Sequence, residues 1–280
     1  MRTIKTLDIK KAVFEACQSV QFRYSKPMEE AITRYMDQEM GVGKAILKVL
    51  LDNSELADKE HIPMCQDTGM VVVILKLGQH VNLEGDYVID MINEGVKEAY
   101  DVAYLRKSIV KDPLLERVNT QDNTPAVVHI EMTPDDQCEV LVSAKGFGSE
   151  NMSKLAMLTP AHGLKGVEEF VLNTVLTAGP NACPPMVIGV GIGGTMDQAA
   201  LMAKKALFNE VGERNPDSRY AALEMDWLEK INASGIGPQG LGGKTTAIDV
   251  FIKTAPTHIA GLPVAVNINC HMTRHAHIKL

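Results

Sequence analysis

Apolar positions in the first fifty residues recur at helical spacing. Leu7, Val13, Cys17 and Val20 form one stripe, Ala31, Ile32 and Tyr35 a second, and Ile46, Val49 and Leu50 a third. Gly41 and Gly43 mark a break between helices. The period changes at Met70, where MVVVILKL is a continuous apolar run of strand length. Helical spacing returns over about 86–103 through Val88, Met91, Ile92, Val96 and Tyr100. The stretch 105–124 has no steady period, so it reads as a long surface or active-site loop. Two strands are predicted at 126–132 and 138–144, joined by the polar turn TPDDQ. The segment KGFGSENMS follows, in which Ser149 is placed to cap a helix whose start would favour an anion. Helices at about 164–177, 196–211 and 219–233, with strands at 186–190 and 246–254 and a last strand, through the apolar run 263–268, that ends at Cys270, complete the pattern. The mixture predicts an α+β fold with mixed β-sheets flanked by helices. No repeat or interdomain linker is visible, so residues 1–280 read as a single domain with a helical part over about 1–60.

At 280 residues and 45% apolar, the chain can bury a substantial core. Its longest apolar runs fall well short of the roughly 20 residues of a membrane helix, and its first residues are amphipathic and charged rather than a leader. A soluble, cytoplasmic protein with no membrane association is expected. The net charge of −7 and the lack of any long Lys/Arg cluster argue against nucleic-acid binding. An anionic substrate must therefore be met by local positive groups.

Five cysteines at irregular intervals do not suggest a disulfide framework. Cys17 falls on a helical stripe and Cys138 in an alternating strand, as small core residues do. Cys65, Cys183 and Cys270 differ. Cys65 sits in HIPMCQDTG, between Pro63 and Gly69 and just before a strand; Cys183 is followed by two prolines; Cys270 ends an apolar run. Loops at strand ends are where chemistry is commonly held. Spacing alone leaves two readings open: three loops converging on a metal, or three inert thiols.

Other motifs carry less. Gly189, Gly191 and Gly194 match G-x-G-x-x-G after a strand, but the acid expected on a second strand is missing, because Glu210 ends a helix instead. A nucleotide-binding module using Gly189–Gly194 is the remote alternative it leaves. GPQGLGGKT is not a phosphate loop, since Pro238 stands where that motif requires glycine. CHMTRHAHI gathers Cys270, His271, His275 and His277, which reads either as a zinc site or as idle exposed histidines.

The segments PMCQDTG, KGFGSENMS, NACPPMVIGVGIGGT, GIGPQGLGGKTTAIDV and APTHIAGLPVAVNINC resemble, in order, those of the iron–sulfur hydro-lyases comprising class I fumarate hydratases and L-tartrate dehydratases. The resemblance runs from about residue 40 to 274 and is to the alpha subunit of the two-subunit members. It implies that Cys65, Cys183 and Cys270 hold a [4Fe–4S] cluster with one iron not ligated by protein. That iron would serve as a Lewis acid toward a substrate carboxylate and hydroxyl. By position, Gln66, Asp67, Arg106, Gly146, Ser149 and Asn151 match residues around the dicarboxylate. His258 matches an active-site histidine, so Asp67 and His258 are the catalytic candidates. Phe147 and His275 depart from the family pattern, at positions where many relatives have glycine and a second arginine. The implied reaction is reversible hydration of fumarate to L-malate, a step of the tricarboxylic acid cycle; the alternative is dehydration of L-tartrate to oxaloacetate. The resemblance also implies a beta subunit that completes the active site, in a heterotetramer.

Overall fold

In the computed structural model, which describes residues 1–280, the first part of the chain runs β1 (Arg2–Lys5), α1 (Thr6–Phe22), α2 (Lys26–Gln38), α3 (Gly41–Glu60), β2 (Met70–Gly78), β3 (Val81–Glu84), α4 (Val88–Val102), β4 (Val127–Thr133) and β5 (Cys138–Lys145). It continues through the short turn α5 (Phe147–Glu150), β6 (Lys154–Leu158), α6 (Gly163–Ala178), β7 (Met186–Gly193), α7 (Met196–Ala206), α8 (Ser218–Asn232), β8 (Ala247–Ala255), β9 (Leu262–Asn269) and β10 (His275–Lys279). The expected α+β class with mixed sheets is what the chain adopts. Two compact units divide it, one made of Met1–Arg23, Ser54–Phe147 and Arg274–Leu280, the other of Tyr24–Asn53 and Gly148–Thr273.

The first unit is built on a four-stranded sheet in the order β10-β5-β2-β4. Val71 to Leu75 of β2 are all buried, as a continuous apolar run requires. Helices α1 and α4 supply the rest of the core: Ile9, Val13 and Cys17 from one, Ile92, Val96 and Tyr100 from the other, against Val71, Val73, Val140 and Val142. Leu7, assigned from sequence to the α1 stripe, is exposed, and Ile9 takes its place. At about 100° per residue Ile9 lies on the face of Val13 and Val20, whereas Leu7 is rotated well away from it. Val49 on α3 is likewise exposed, and Leu47 is buried instead.

Strand directions fix where this unit keeps its loops. β2 is antiparallel to β5, with Met70 opposite Lys145, and parallel to β4, with Val72 opposite Val127. β10 is antiparallel to β5, with His275 opposite Ser143. The start of β2, the end of β5, the start of β4 and the start of β10 therefore share one sheet edge. The loops carrying Cys65–Gly69, Gly146, Arg106–Asn123 and Arg274 all open there.

The second unit has a four-stranded sheet in the order β6-β9-β7-β8. Val167, Val171 and Val175 of α6 and Trp227, Leu228 and Ile231 of α8 pack with Ile188, Val190, Val250 and Ile252. The dinucleotide-like glycines are explained here. A Cβ on Gly189 would come within 2.1 Å of the Ala203 carbonyl oxygen, and one on Gly191 within 2.1 Å of that of Ala199. Both glycines lie inside β7, which extends past the predicted strand to Gly193, and their bare α-carbons let α7 pack directly on the sheet.

Several expectations are corrected. No helix follows Ser149; α5 is a single turn that contains it, and strand β6 comes next. The strands β1, β3, β6 and β10, of four or five residues each, are too short to declare themselves in sequence. The helix predicted to run to 211 ends at Ala206, because the following loop is drawn onto β8 by the buried carboxylate of Asp249. Its Oδ2 accepts from the Gly212 N–H at 2.8 Å, and its Oδ1 from Arg214 Nη1 at 2.7 Å. Burial holds the Asp249 carboxyl above the ordinary carboxylate range, with the Gly212 N–H and the Arg214 charge opposing that shift. Arg214→Ala leaves this buried acid without its cation and is expected to destabilise the chain by about 3 kcal/mol. Because a carboxyl held above its unfolded pKa is penalised as it ionises, the loss should be larger at pH 8 than at pH 5. Urea titrations at the two pH values check this. No helix is long and apolar enough to cross a membrane.

Candidate active site

At the loop edge of the first unit, the segment before β2 is held by side chains from four directions. The Gly69 N–H donates to Asp67 Oδ1 at 3.0 Å, and the Phe147 N–H donates to Oδ2 at 2.9 Å. Both carboxylate oxygens are thus fixed by backbone donors, one within the loop and one from the end of β5. Gln21 Nε2 donates to the Thr68 carbonyl at 2.9 Å, and Tyr100 Oη lies 2.7 Å from the same oxygen and 3.0 Å from that of Gly69. Burial pushes the Tyr100 phenol upward, so it keeps its proton and serves as a donor. Asn123 Nδ2 donates to the Gly69 carbonyl at 3.2 Å, and its Oδ1 accepts from the Ser108 N–H at 2.8 Å. Thr68 Oγ1 donates to the Arg106 carbonyl at 3.0 Å. The unpatterned stretch 105–124 is therefore rooted in the same site.

Polar atoms facing outward complete this edge. Cys65 is half-buried, its Sγ 3.5 Å from Gln66 Oε1, and the Arg106 side chain is exposed. Gly146 lies beside Asp67: a Cβ built on it would stand 3.4 Å from Asp67 Oδ2 and 3.3 Å from Arg274 Nη2. Cys65, Gln66, Asp67, Arg106 and Gly146, singled out from sequence, are accordingly gathered at one edge of one sheet. Sequence reasoning missed Gln21, Tyr100, Asn123 and Arg274. The one local signal was a polar residue set within an apolar helical stripe, as in Val20-Gln21-Phe22.

The second unit has its own loop edge. β7 is antiparallel to β9, with Val187 opposite Asn269, so Cys183 before β7 and Cys270 after β9 flank the same sheet end. The His271 N–H donates to the Cys183 carbonyl at 3.3 Å, and the His271 ring is held by Tyr24 Oη, 2.6 Å from Nδ1. Cys183 is exposed and adopts φ 50° and ψ 66°, a left-handed conformation uncommon for a side chain other than glycine. Its loop is clamped by the glycine-rich stretch before β8, in which the Gln239 N–H and Nε2 both donate to the Pro184 carbonyl, at 2.8 and 2.7 Å. That stretch is tied down in turn by buried Glu39, whose Oε1 accepts from the N–H groups of Lys244 and Thr245 at 2.7 and 2.6 Å. The phosphate-loop look-alike is thus a support for the Cys183 loop.

Ser149 and Asn151 precede β6, which is antiparallel to β9 and starts beside its end, so they belong to this edge as well. Glu150 anchors their loop, accepting from Lys204 Nζ at 2.6 Å and from Asn267 Nδ2 at 2.7 Å. His258 does not join them. It lies exposed in the turn before β9, the opposite end of that strand from Cys270, with its Nδ1 accepting from the Ala260 N–H at 3.2 Å. The eight residues of β9 separate the two by roughly 25 Å.

The donor set fits a thiolate-held iron–sulfur group. Cys17 and Cys138 are buried, and burial pushes the Cys17 thiol up to about 12, which keeps it protonated and inert. Cys65, Cys183 and Cys270 are the three that reach the loop surface, and none is in a disulfide. The alternative zinc reading draws on histidines that have other partners, since His277 Nε2 is 2.9 Å from Glu139 Oε2 and His271 Nδ1 is 2.6 Å from Tyr24 Oη.

A family model described as "Fumarate hydratase (Fumerase)" matches residues 10–279. The chain belongs to the fumarate hydratase (Fumerase) family. Membership of the Fumerase family bears out the resemblance read from the five motifs and makes this a hydro-lyase chain. Among its relatives is a Methanocaldococcus jannaschii protein provisionally named L(+)-tartrate dehydratase subunit alpha, 43% identical over 253 residues, covering 89% of this chain and 88% of that one. The L(+)-tartrate dehydratase subunit alpha of Escherichia coli K12 is 34% identical over 233 residues, covering 82% and 76%. That of Escherichia coli O157:H7 is 35% identical over the same length, with the same coverage.

Proposed function

We propose that this chain is the cluster-bearing alpha subunit of an L(+)-tartrate dehydratase, converting L-tartrate to oxaloacetate and water. The observation that carries the reading is the gathering of Cys65, Gln66, Asp67, Arg106 and Gly146 at one sheet edge. The choice of tartrate over fumarate follows the names of relatives that match across most of the chain, and it reverses the order expected from sequence. Fumarate hydration is the second reading, favoured by the description of the family model.

Cys65, Cys183 and Cys270 would hold a [4Fe–4S] cluster, and the chemistry it supplies when bound is Lewis-acid polarisation of the C–O bond that breaks. The chain's own residues orient the diacid. The exposed Arg106 guanidinium offers a two-pronged fork to one carboxylate, which an ammonium cannot match. Gln66, Asn151 and Ser149 supply neutral donors, and the bare α-carbon of Gly146 leaves room beside Asp67 for a substrate oxygen. Asp67, with each oxygen already accepting one backbone N–H, keeps further lone pairs toward that space and is the proton-handling group assigned to this chain. His258 is left out because it stands at the far end of β9. The remaining charge clamps and a second proton-transfer group are assigned to a beta subunit, in a heterotetramer.

Turnover of L-tartrate and fumarate by the anaerobically purified two-chain enzyme tests the reading. The specificity constant for L-tartrate is expected to exceed that for fumarate by at least roughly tenfold, since tartrate brings two hydroxyls to the polar groups of the site and fumarate none. A ratio inverted in favour of fumarate would assign the chain to the second reading.

A further inference from the structure

Arg274 is 3% exposed, yet the two acceptors it engages are neutral oxygens: Nη1 donates to the Asp67 carbonyl at 2.6 Å and to Gln21 Oε1 at 3.0 Å. Its Nε is buried without a hydrogen-bond partner. Burying a guanidinium carries a large desolvation cost, and hydrogen bonds to two neutral groups offset it only in part. The remaining nitrogen shows where the charge is directed. Nη2 and Asp67 Oδ2 both border the space above Gly146, 3.3 and 3.4 Å from the place a Cβ would occupy. The arginine is itself held in place, because its own carbonyl accepts from the Ala144 N–H at 3.0 Å where β10 joins β5.

We propose that Arg274 is the positioning residue for Asp67: one nitrogen pins the Asp67 backbone while the other faces its carboxylate across the α-carbon of Gly146. The inference rests on the assignment of Asp67 to the reacting site. Gln21 is the third member of the device, since its Oε1 accepts from Arg274 while its Nε2 donates to the Thr68 carbonyl. The loop is thus gripped on consecutive carbonyls, those of Asp67 and Thr68. A lysine could keep the charge, but a single ammonium has no rigid fork with which to hold a carbonyl and face a carboxylate together. A methyl on Gly146 would wedge into the gap between the two charges.

The test uses the anaerobic two-chain enzyme with Arg274→Ala and Arg274→Lys, measuring turnover, iron content and amide hydrogen exchange. For Arg274→Ala we expect kcat to fall about 10²-fold with KM changed by less than roughly threefold, as for a misplaced group that binds no substrate. Iron per chain should match the parent. The Gly69 and Phe147 amides, whose acceptors are the Asp67 oxygens, should exchange at least about tenfold faster. Added guanidinium ion should restore part of kcat, and methylammonium should not. Arg274→Lys should fall between parent and alanine variant in both kcat and exchange, and it decides the matter if the alanine variant does not assemble. Parent-like exchange at Gly69 and Phe147 in either variant overturns the proposal, as does a loss borne by KM alone. If the parent enzyme turns over neither diacid, the proposed function fails, while the exchange measurement still decides whether Arg274 positions Asp67.

Discussion

Replacing Cys65, Cys183 or Cys270 by serine is expected to strip iron from the purified chain, while Cys17→Ser and Cys138→Ser retain it. A thiolate is a soft anionic ligand for iron, whereas a neutral hydroxyl binds it poorly. The five cysteines start from unequal positions. Cys17 lies in the core between α1 and the sheet, where burial pushes its thiol up to about 12; no thiolate is on offer there. The loop cysteines sit at strand ends, and the Cys183 loop is gripped by Gln239 and bonded to the backbone of His271. Serine at the two core positions costs stability rather than iron, because a hydroxyl without a partner is placed where a small apolar group was. Iron and sulfide analysis under anaerobic conditions, with the visible absorbance of the cluster, separates the two classes. Full iron in any of the three loop variants would remove that cysteine from the ligand set.

The second large effect concerns the proposed beta subunit. Purified alone with its iron intact, it is expected to turn over L-tartrate at least about 10²-fold more slowly than when co-expressed with the proposed beta subunit. Dehydration needs a proton taken from one carbon as hydroxide leaves the next, and a positioned acid or base is worth about that much or more. Asp67 is the group proposed for that role in this chain. A four-carbon diacid also carries two carboxylates, and Arg106 offers a free fork to only one. Turnover by the isolated chain equal to that of the co-expressed pair would place the whole reaction within these residues.

What could be read from sequence was what repeats or punctuates. Long periodic segments such as α4, and the unbroken run of β2, stand within a residue or two of their predicted bounds. Cys65, Asp67 and Cys183 were visible because proline or glycine stands beside them, and Cys270 because it ends an apolar run. Contacts between residues far apart in the chain were not. Arg274 meets Asp67 across more than two hundred residues, and nothing local to Met272-Thr273-Arg274 tells whether its charge faces solvent or a buried carbonyl. Glu39 is hidden for the same reason, since its partners Lys244 and Thr245 are equally remote. Gly189 and Gly191 show the opposite failure: a familiar spacing whose cause is helix packing on a strand rather than a ligand.

The division of the chain also sets an order of events during its synthesis. Every residue of the second unit precedes Arg274, whereas the first unit takes its edge strand β10 from residues 274–280. On a ribosome adding about 5–20 residues per second, the Cys183–Cys270 half can fold while the Asp67 half still lacks β10 and the buried arginine just before it. The flank of β5 stays open until that strand emerges. A nascent chain stalled before residue 274 therefore presents an unpaired β-edge beside Cys138, and a chaperone or a neighbouring chain would find it there.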